Sequence, residues 1–314
     1  MRIYLITKNA QPTKEQLDKL EKLGDFKWID AIKLSAQDVI DKAGDAEILI
    51  LGSSGVDKIS EELISGLKNL KFVSLLTVGT NWVDLEAARK HNIQISNIKG
   101  ANSEAVAEHT WAMILNLAKR VTEFERDVRE KGAFNFGPYR GKEVFGKTLG
   151  IIGLGDIGKK VARIAQGFNM KIIGVNVRGK KVEGIELVDL DTLLKKSDVI
   201  TICAPLTKDT ENMIDVKEIE KMKEGTILVN CARHQITNKE AVIKGVQSKK
   251  LFGFGIETEI MQPVDKNDEY LKYSNIIITP HNAFNTEDAE IKSFDTVISN
   301  IEGFLAGKLE NLVT

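Results

Sequence analysis

Cysteine is scarce in this chain. The two present, Cys203 and Cys231, are too few for a disulfide framework. Histidine is nearly as scarce: His91, His109, His234 and His281 show no metal-ligand spacing, so no metal site is expected. No apolar run approaches the roughly 18 residues that span a bilayer, which argues against a membrane protein. The formal net charge of −1 provides no field to draw nucleic acid or an anionic membrane surface, and neither is expected as a partner. Residues 1–7 (M-R-I-Y-L-I-T) form a buried-strand pattern without the longer apolar stretch and small-residue cleavage site of a signal peptide, so a cytoplasmic location is expected.

What is present fits an α/β protein. A length of 314 residues is comfortable for two domains, and 42% hydrophobic with 28% charged residues is ordinary globular composition. Strand-like runs at 3–7, 47–52, 72–77 and 93–97 alternate with helical patterns at 13–23, 36–43, 60–67 and 85–91, which predicts βαβ units and a parallel sheet. A long helical pattern over 104–118, open to extension as far as 130, connects to a second series of strands at 149–153, 171–177, 199–203, 226–230, 251–256 and 276–279. The amphipathic segment 288–305 is expected to return to the first lobe. Two doubly wound parallel-sheet domains follow, with a Rossmann cofactor domain (100–285) inserted in a flavodoxin-like substrate domain (1–99 and 286–314).

The sharpest motif is Gly150-Ile-Ile-Gly-Leu-Gly-Asp-Ile-Gly158, a short apolar strand running into G-x-G-x-x-G. Gly153, Gly155 and Gly158, with Asp156 and Ile157 opening the next helix, bring backbone N–H groups and a helix N-terminus to a pyrophosphate. Glycine serves because no Cβ blocks the approach. Three later strands run into Pro205-Leu-Thr, Asn230-Cys231-Ala232-Arg233 and Thr279-Pro-His281-Asn-Ala283. Ligands of an open α/β sheet sit at the carboxyl ends of its strands, so Arg233 and His281 are expected to share one pocket. A cation for a carboxylate and a proton carrier titrating near neutrality suit hydride exchange with a 2-hydroxy acid. Cys231 is expected beside the cofactor through its backbone, not as a reactive thiol; His91 and His109 read as structural.

These segments, together with Val78-Gly-Thr-Asn-Trp-Val-Asp84, resemble the D-isomer-specific 2-hydroxyacid dehydrogenase family over nearly the whole chain. The resemblance implies that Arg233 binds and polarises the substrate and that His281 is the acid/base. It also implies that backbone at Val78 and Gly79, with a loop containing Ser53 and Ser54, receives the substrate carboxylate. The cofactor, NAD or NADP, is expected against Gly153 to Gly158, Pro205, Cys231, Ala232, Arg233, Glu257, His281 and Ala283. A homodimer acting on a small 2-keto or D-2-hydroxy acid is implied.

The sequence departs from the family at four places, one of them His234, which follows the arginine where the family usually has glycine. Gln262, before Pro263, stands where the family has the glutamate that holds and charges the histidine, and Glu257 stands where it has an aspartate near the nicotinamide. Asn176, about 20 residues beyond the glycines, replaces the acid that would bind the ribose 2′-OH. Arg178, Lys180 and Lys181 follow it, so NADP is favoured over NAD. Gln262 leaves open a cofactor-binding scaffold or sensor with weakened catalysis; a phosphoglycerate or phosphite dehydrogenase also stays open.

Overall fold

The computed structural model describes residues 1–8, 10–132, 139–176, 181–257 and 265–314. It divides into two compact units, Met1–Asn102 with Thr286–Thr314, and Ser103–Asn285.

The first unit is built on strands β1 (Arg2–Thr7), β2 (Asp25–Asp30), β3 (Ile48–Leu51), β4 (Phe72–Leu75) and β5 (Gln94–Ser96). They lie in the order β2-β1-β3-β4-β5, every pairing parallel. This is the flavodoxin-like arrangement. Alternate residues of β1 enter opposite faces: Ile3 and Leu5 pack with Phe72, Phe294, Val297 and Ile301, while Tyr4 and Ile6 pack with Val39, Leu63 and Val73. A sheet buried on both faces explains why β1, β3 and β4 read as continuous apolar runs. The helix Glu287–Leu305 is one of its covers, so the end of the chain folds into the first unit. The edge strand β2 is absent from the sequence-based expectation. Its run D-F-K-W-I-D is mostly exposed, with Trp28 at 39%, so it lacks the apolar continuity of its neighbours.

The second unit contains β6 (Thr148–Ile152), β7 (Lys171–Val175), β8 (Glu186–Leu187), β9 (Val199–Ile202), β10 (Thr226–Asn230), β11 (Leu251–Glu257) and β12 (Ile276–Thr279). The order is β12-β11-β10-β9-β6-β7-β8, again wholly parallel. The strand order reverses between β6 and β9, and that switch point is where an open α/β sheet accepts a ligand. Both units are thus doubly wound.

The long helical pattern does not run unbroken. Helix Ser103–Lys119 stops at Arg120, whose φ of 57° is left-handed, and a second helix, Val121–Lys131, begins. At that corner Arg120 Nη2 donates to buried Glu123 at 2.7 Å, and its guanidinium stacks on Tyr139 at 4.7 Å and on Phe252 at 5.4 Å. An α-helical residue there would aim this cation elsewhere. Helix Ser103–Lys119 itself is pinned to the glycine-turn helix, Trp111 donating to the Val161 carbonyl at 3.0 Å and stacking on Phe168. No helix among the described residues is long and apolar enough to cross a membrane.

Candidate functional site

At the end of β6 the three glycines have three different physical reasons. Gly153 has φ 97°, and a Cβ there would lie 2.6 Å from the Ala204 amide nitrogen. A Cβ on Gly158 would meet the Gly153 carbonyl at 2.1 Å, so its absence lets helix and strand close on each other. Gly155 faces open space on its Cβ side. It is the N-cap of helix Asp156–Gly167 and is in extended backbone with no side-chain cap. Amide N–H groups of the first turn, where Asp156 is exposed and Ile157 half-buried, therefore face outward with the positive end of the helix dipole. This cradle fits the pyrophosphate of a dinucleotide.

The rest of the sheet's carboxyl edge carries the other sequence-predicted residues of this unit that are among the described ones. Gly153 N–H donates to the Val175 carbonyl at 3.0 Å, which puts Asn176, the next residue after β7, beside the glycine turn. β7 ends two residues sooner than expected, and Arg178 and Lys180 lie outside the described residues; Lys181 is exposed. Beyond β9, the Pro205 carbonyl accepts the Thr210 hydroxyl at 2.8 Å, closing a tight turn. Beyond β10, buried Asn230 donates to the Arg233 carbonyl at 2.8 Å and accepts from Ala232 N–H at 3.0 Å. Half-buried Arg233 is held at the base by this turn, with Nη1 on the Ala232 carbonyl at 2.7 Å. Cys231 turns its sulfur to Met113 at 3.8 Å, and burial pushes the thiols of Cys203 and Cys231 up to about 12.

The end of β11 meets the end of β12. Glu257, 4% exposed, accepts the Thr279 hydroxyl and the Ala283 N–H, the latter at 3.1 Å. Its Oε1 is also 3.1 Å from His109 Nε2. Burial pushes the Glu257 carboxyl up, but hydrogen bonds from His109, Thr279 and Ala283 outweigh it and leave the group below its ordinary value. Both oxygens of the expected cofactor contact are thus engaged by protein donors. His281 lies between Thr279 and Ala283 with φ 52°, its ring 6.3 Å from that of exposed Phe284.

His109, expected to be structural, lies in this polar group. Its partner Thr279 is 170 residues away in sequence, and no local pattern signals such a contact. Gln262 lies outside the described residues. Among the described residues no cluster of His, Cys, Asp and Glu could hold a metal ion.

Ser53, Ser54, Val78 and Gly79 belong to the first unit. The Ser54 hydroxyl is tied to Thr7 Oγ1 at 3.0 Å and accepts from Lys8 N–H at 3.2 Å. The Val78 carbonyl accepts from Asn97 at 2.8 Å; that of Gly79 accepts from Thr77 at 2.9 Å and from the Trp82 indole at 3.2 Å. Their carbonyls are committed, whereas their N–H groups have no acceptor among the described residues. That arrangement suits a small anion.

Residues 111–283 match the family described as D-isomer specific 2-hydroxyacid dehydrogenase, NAD binding domain. A glyoxylate reductase of Korarchaeum cryptofilum is 32% identical over 294 residues, which cover 91% of this chain and 88% of that protein. A hydroxypyruvate reductase of Thermotoga maritima is 34% identical over 247 residues, 78% and 80% of the two chains. Among solved structures, an acyclic imino acid reductase in complex with NADPH and D-Arg superposes with a TM-score of 0.90 at 28% identity, covering all of both chains. The glycine cradle at the switch point and the matches over most of the chain agree: this protein belongs to the D-isomer-specific 2-hydroxyacid dehydrogenase family.

Proposed function

We propose that the protein reduces a small 2-keto acid to the D-2-hydroxy acid with a nicotinamide cofactor, NADPH in preference to NADH. The observation that carries this reading is the placement of Arg233 and His281 beyond the carboxyl ends of β10 and β12, on the edge that holds the glycine cradle. Only β11 separates those strands, so their axes are about 10 Å apart, a span that two long side chains close around a three-carbon acid.

When bound, the cofactor supplies the hydride to C2 of the keto acid. Gly153, Gly155 and the first turn of helix Asp156–Gly167 hold its pyrophosphate. Arg233 pairs with the substrate carboxylate and polarises the keto oxygen. His281 in its protonated form gives that oxygen a proton as it becomes a hydroxyl. In the first unit, the amide N–H groups of Val78 and Gly79 suit a small anion, which supports reading that unit as the substrate-binding one. The working assembly in this reading is a homodimer. Asn176 neither repels a 2′-phosphate nor demands a 2′-hydroxyl, which supports NADPH.

One observation favours a second reading. Gln262 stands where the family resemblance implies a carboxylate that keeps the histidine charged. Reduction of an iminium needs no proton donor, because the nitrogen already carries its positive charge. The similarity to an imino acid reductase points the same way. One assay separates the two: glyoxylate, hydroxypyruvate and pyruvate, each with NADPH and NADH, alone and with methylamine. Turnover of a keto acid alone, giving the D product, supports the first reading. Turnover only when amine is present supports the second, and none under any condition overturns both.

A further inference from the structure

We propose that Glu257 is a positioning residue that clamps the turn bearing His281 from both sides, with His109 fixing the carboxylate in place. This deepens the keto-acid reading and rests on His281 as its acid/base. One carboxylate joins two points of the loop that leaves β12. Thr279, two residues before His281, gives its hydroxyl to Oε1, and Ala283, two residues after it, gives its N–H to Oε2 at 3.1 Å. His281 between them has φ 52°, a left-handed backbone that a non-glycine residue keeps only where its surroundings hold it. The His281 N–H to Thr279 carbonyl contact at 3.0 Å closes the turn further.

The carboxylate is itself held. His109 Nε2 stands 3.1 Å from Glu257 Oε1 and 3.1 Å from Thr279 Oγ1, so the ring braces both partners from helix Ser103–Lys119. Glu257 stands 4% exposed at the end of β11, in register with Thr279 on β12, so its side chain crosses to the neighbouring strand without leaving the sheet edge. In a glutamine one of the two oxygens becomes an NH2: turned to Ala283 N–H it opposes a donor, and turned to Thr279 it replaces the hydrogen bond that the hydroxyl now donates to a charged oxygen by one that the hydroxyl accepts. Either way a charge-assisted tie on one side of the turn is lost.

The test compares the native chain with Glu257→Gln, Glu257→Asp, Thr279→Val and His281→Ala. Amide hydrogen exchange is the primary readout, because it does not depend on knowing the substrate. In Glu257→Gln, exchange at residues 281–283 should rise at least tenfold while β10 and β11 amides stay as in the native chain; Thr279→Val, the milder change, should raise it about threefold. Unchanged exchange at 281–283 in both variants overturns the clamp. On the best keto acid, kcat per cofactor-binding site should fall at least thirtyfold in Glu257→Gln, with KM and cofactor Kd within threefold of native. Glu257→Asp, which restores the charge, should recover at least a third of the native kcat. A Glu257→Gln variant with native kcat, beside a His281→Ala variant that is crippled, would overturn the clamp and leave His281 standing. An active His281→Ala variant would overturn the acid/base reading, whatever the exchange data show.

Discussion

Asn230 Nδ2 donates to the Arg233 carbonyl at 2.8 Å, and its Oδ1 accepts from Ala232 N–H at 3.0 Å, so one buried amide shapes the turn that presents the arginine. Asn230 also reaches Thr237 Oγ1 at 3.3 Å. Asn230→Ala removes all three bonds and leaves backbone groups unpaired, at about 1–3 kcal/mol. In urea titrations the variant should lose that much stability. On the best keto acid its KM should rise at least about fivefold, with a smaller fall in kcat, because in the proposed reaction the change reaches the substrate through Arg233.

Acid should act through Glu257. Its folded pKa lies below the ordinary value of 4.5, burial opposing and the bonds from His109, Thr279 and Ala283 prevailing. The stability it contributes is therefore fully present above 4.5 and is lost as pH falls through the lower, folded value. Denaturation curves for native chain and Glu257→Gln should differ at neutral pH and converge as pH drops below 4.5. A stability difference that stays constant through that range would remove Glu257 as its source.

Both thiols should be inert in the folded protein. Burial pushes Cys203 and Cys231 from 9.0 up to about 12, which lowers the thiolate fraction by about a thousandfold. Iodoacetamide labelling under mildly alkaline conditions, followed by mass spectrometry, should be at least about a hundredfold slower in the native chain than in urea. Equal rates would mean that one sulfur reaches solvent.

Cofactor choice should turn on Asn176. Asn176→Asp places a carboxylate beside the glycine turn, where it repels a 2′-phosphate and accepts from a 2′-hydroxyl. The NADPH KM should rise about tenfold or more, with NADH unchanged or improved. Native preference for NADH, with no response to this substitution, would refute the NADPH assignment.

The sequence shows the architecture wherever one periodicity dominates. Continuous apolar runs mark β1, β3, β4 and β6 because a parallel sheet is covered on both faces, and the glycine turn is legible because Gly153 and Gly158 each meet a local steric demand. What it hides depends on contacts far along the chain. β2 lies at an edge and keeps its polar residues, and the helix corner at Arg120 needs Glu123, Tyr139 and Phe252 together. The partnership of His109 with Glu257 and Thr279 joins one helix to two strand ends. Arg233 and His281 could be singled out by their neighbours in sequence. The groups that hold them, Asn230 and Glu257, show their roles only in the fold.

In the proposed reaction Arg233 binds the substrate and His281 transfers the proton, and steady-state kinetics of Arg233→Ala and His281→Ala on the best keto acid separate the two roles. His281→Ala should lose about 10²–10⁴-fold in kcat with KM within a few-fold of native. Arg233→Ala should raise KM at least about tenfold and lower kcat as well, since the cation serves both carboxylate and keto oxygen. Cofactor Kd should change little in either. Near-native kcat/KM in either variant would contradict the account.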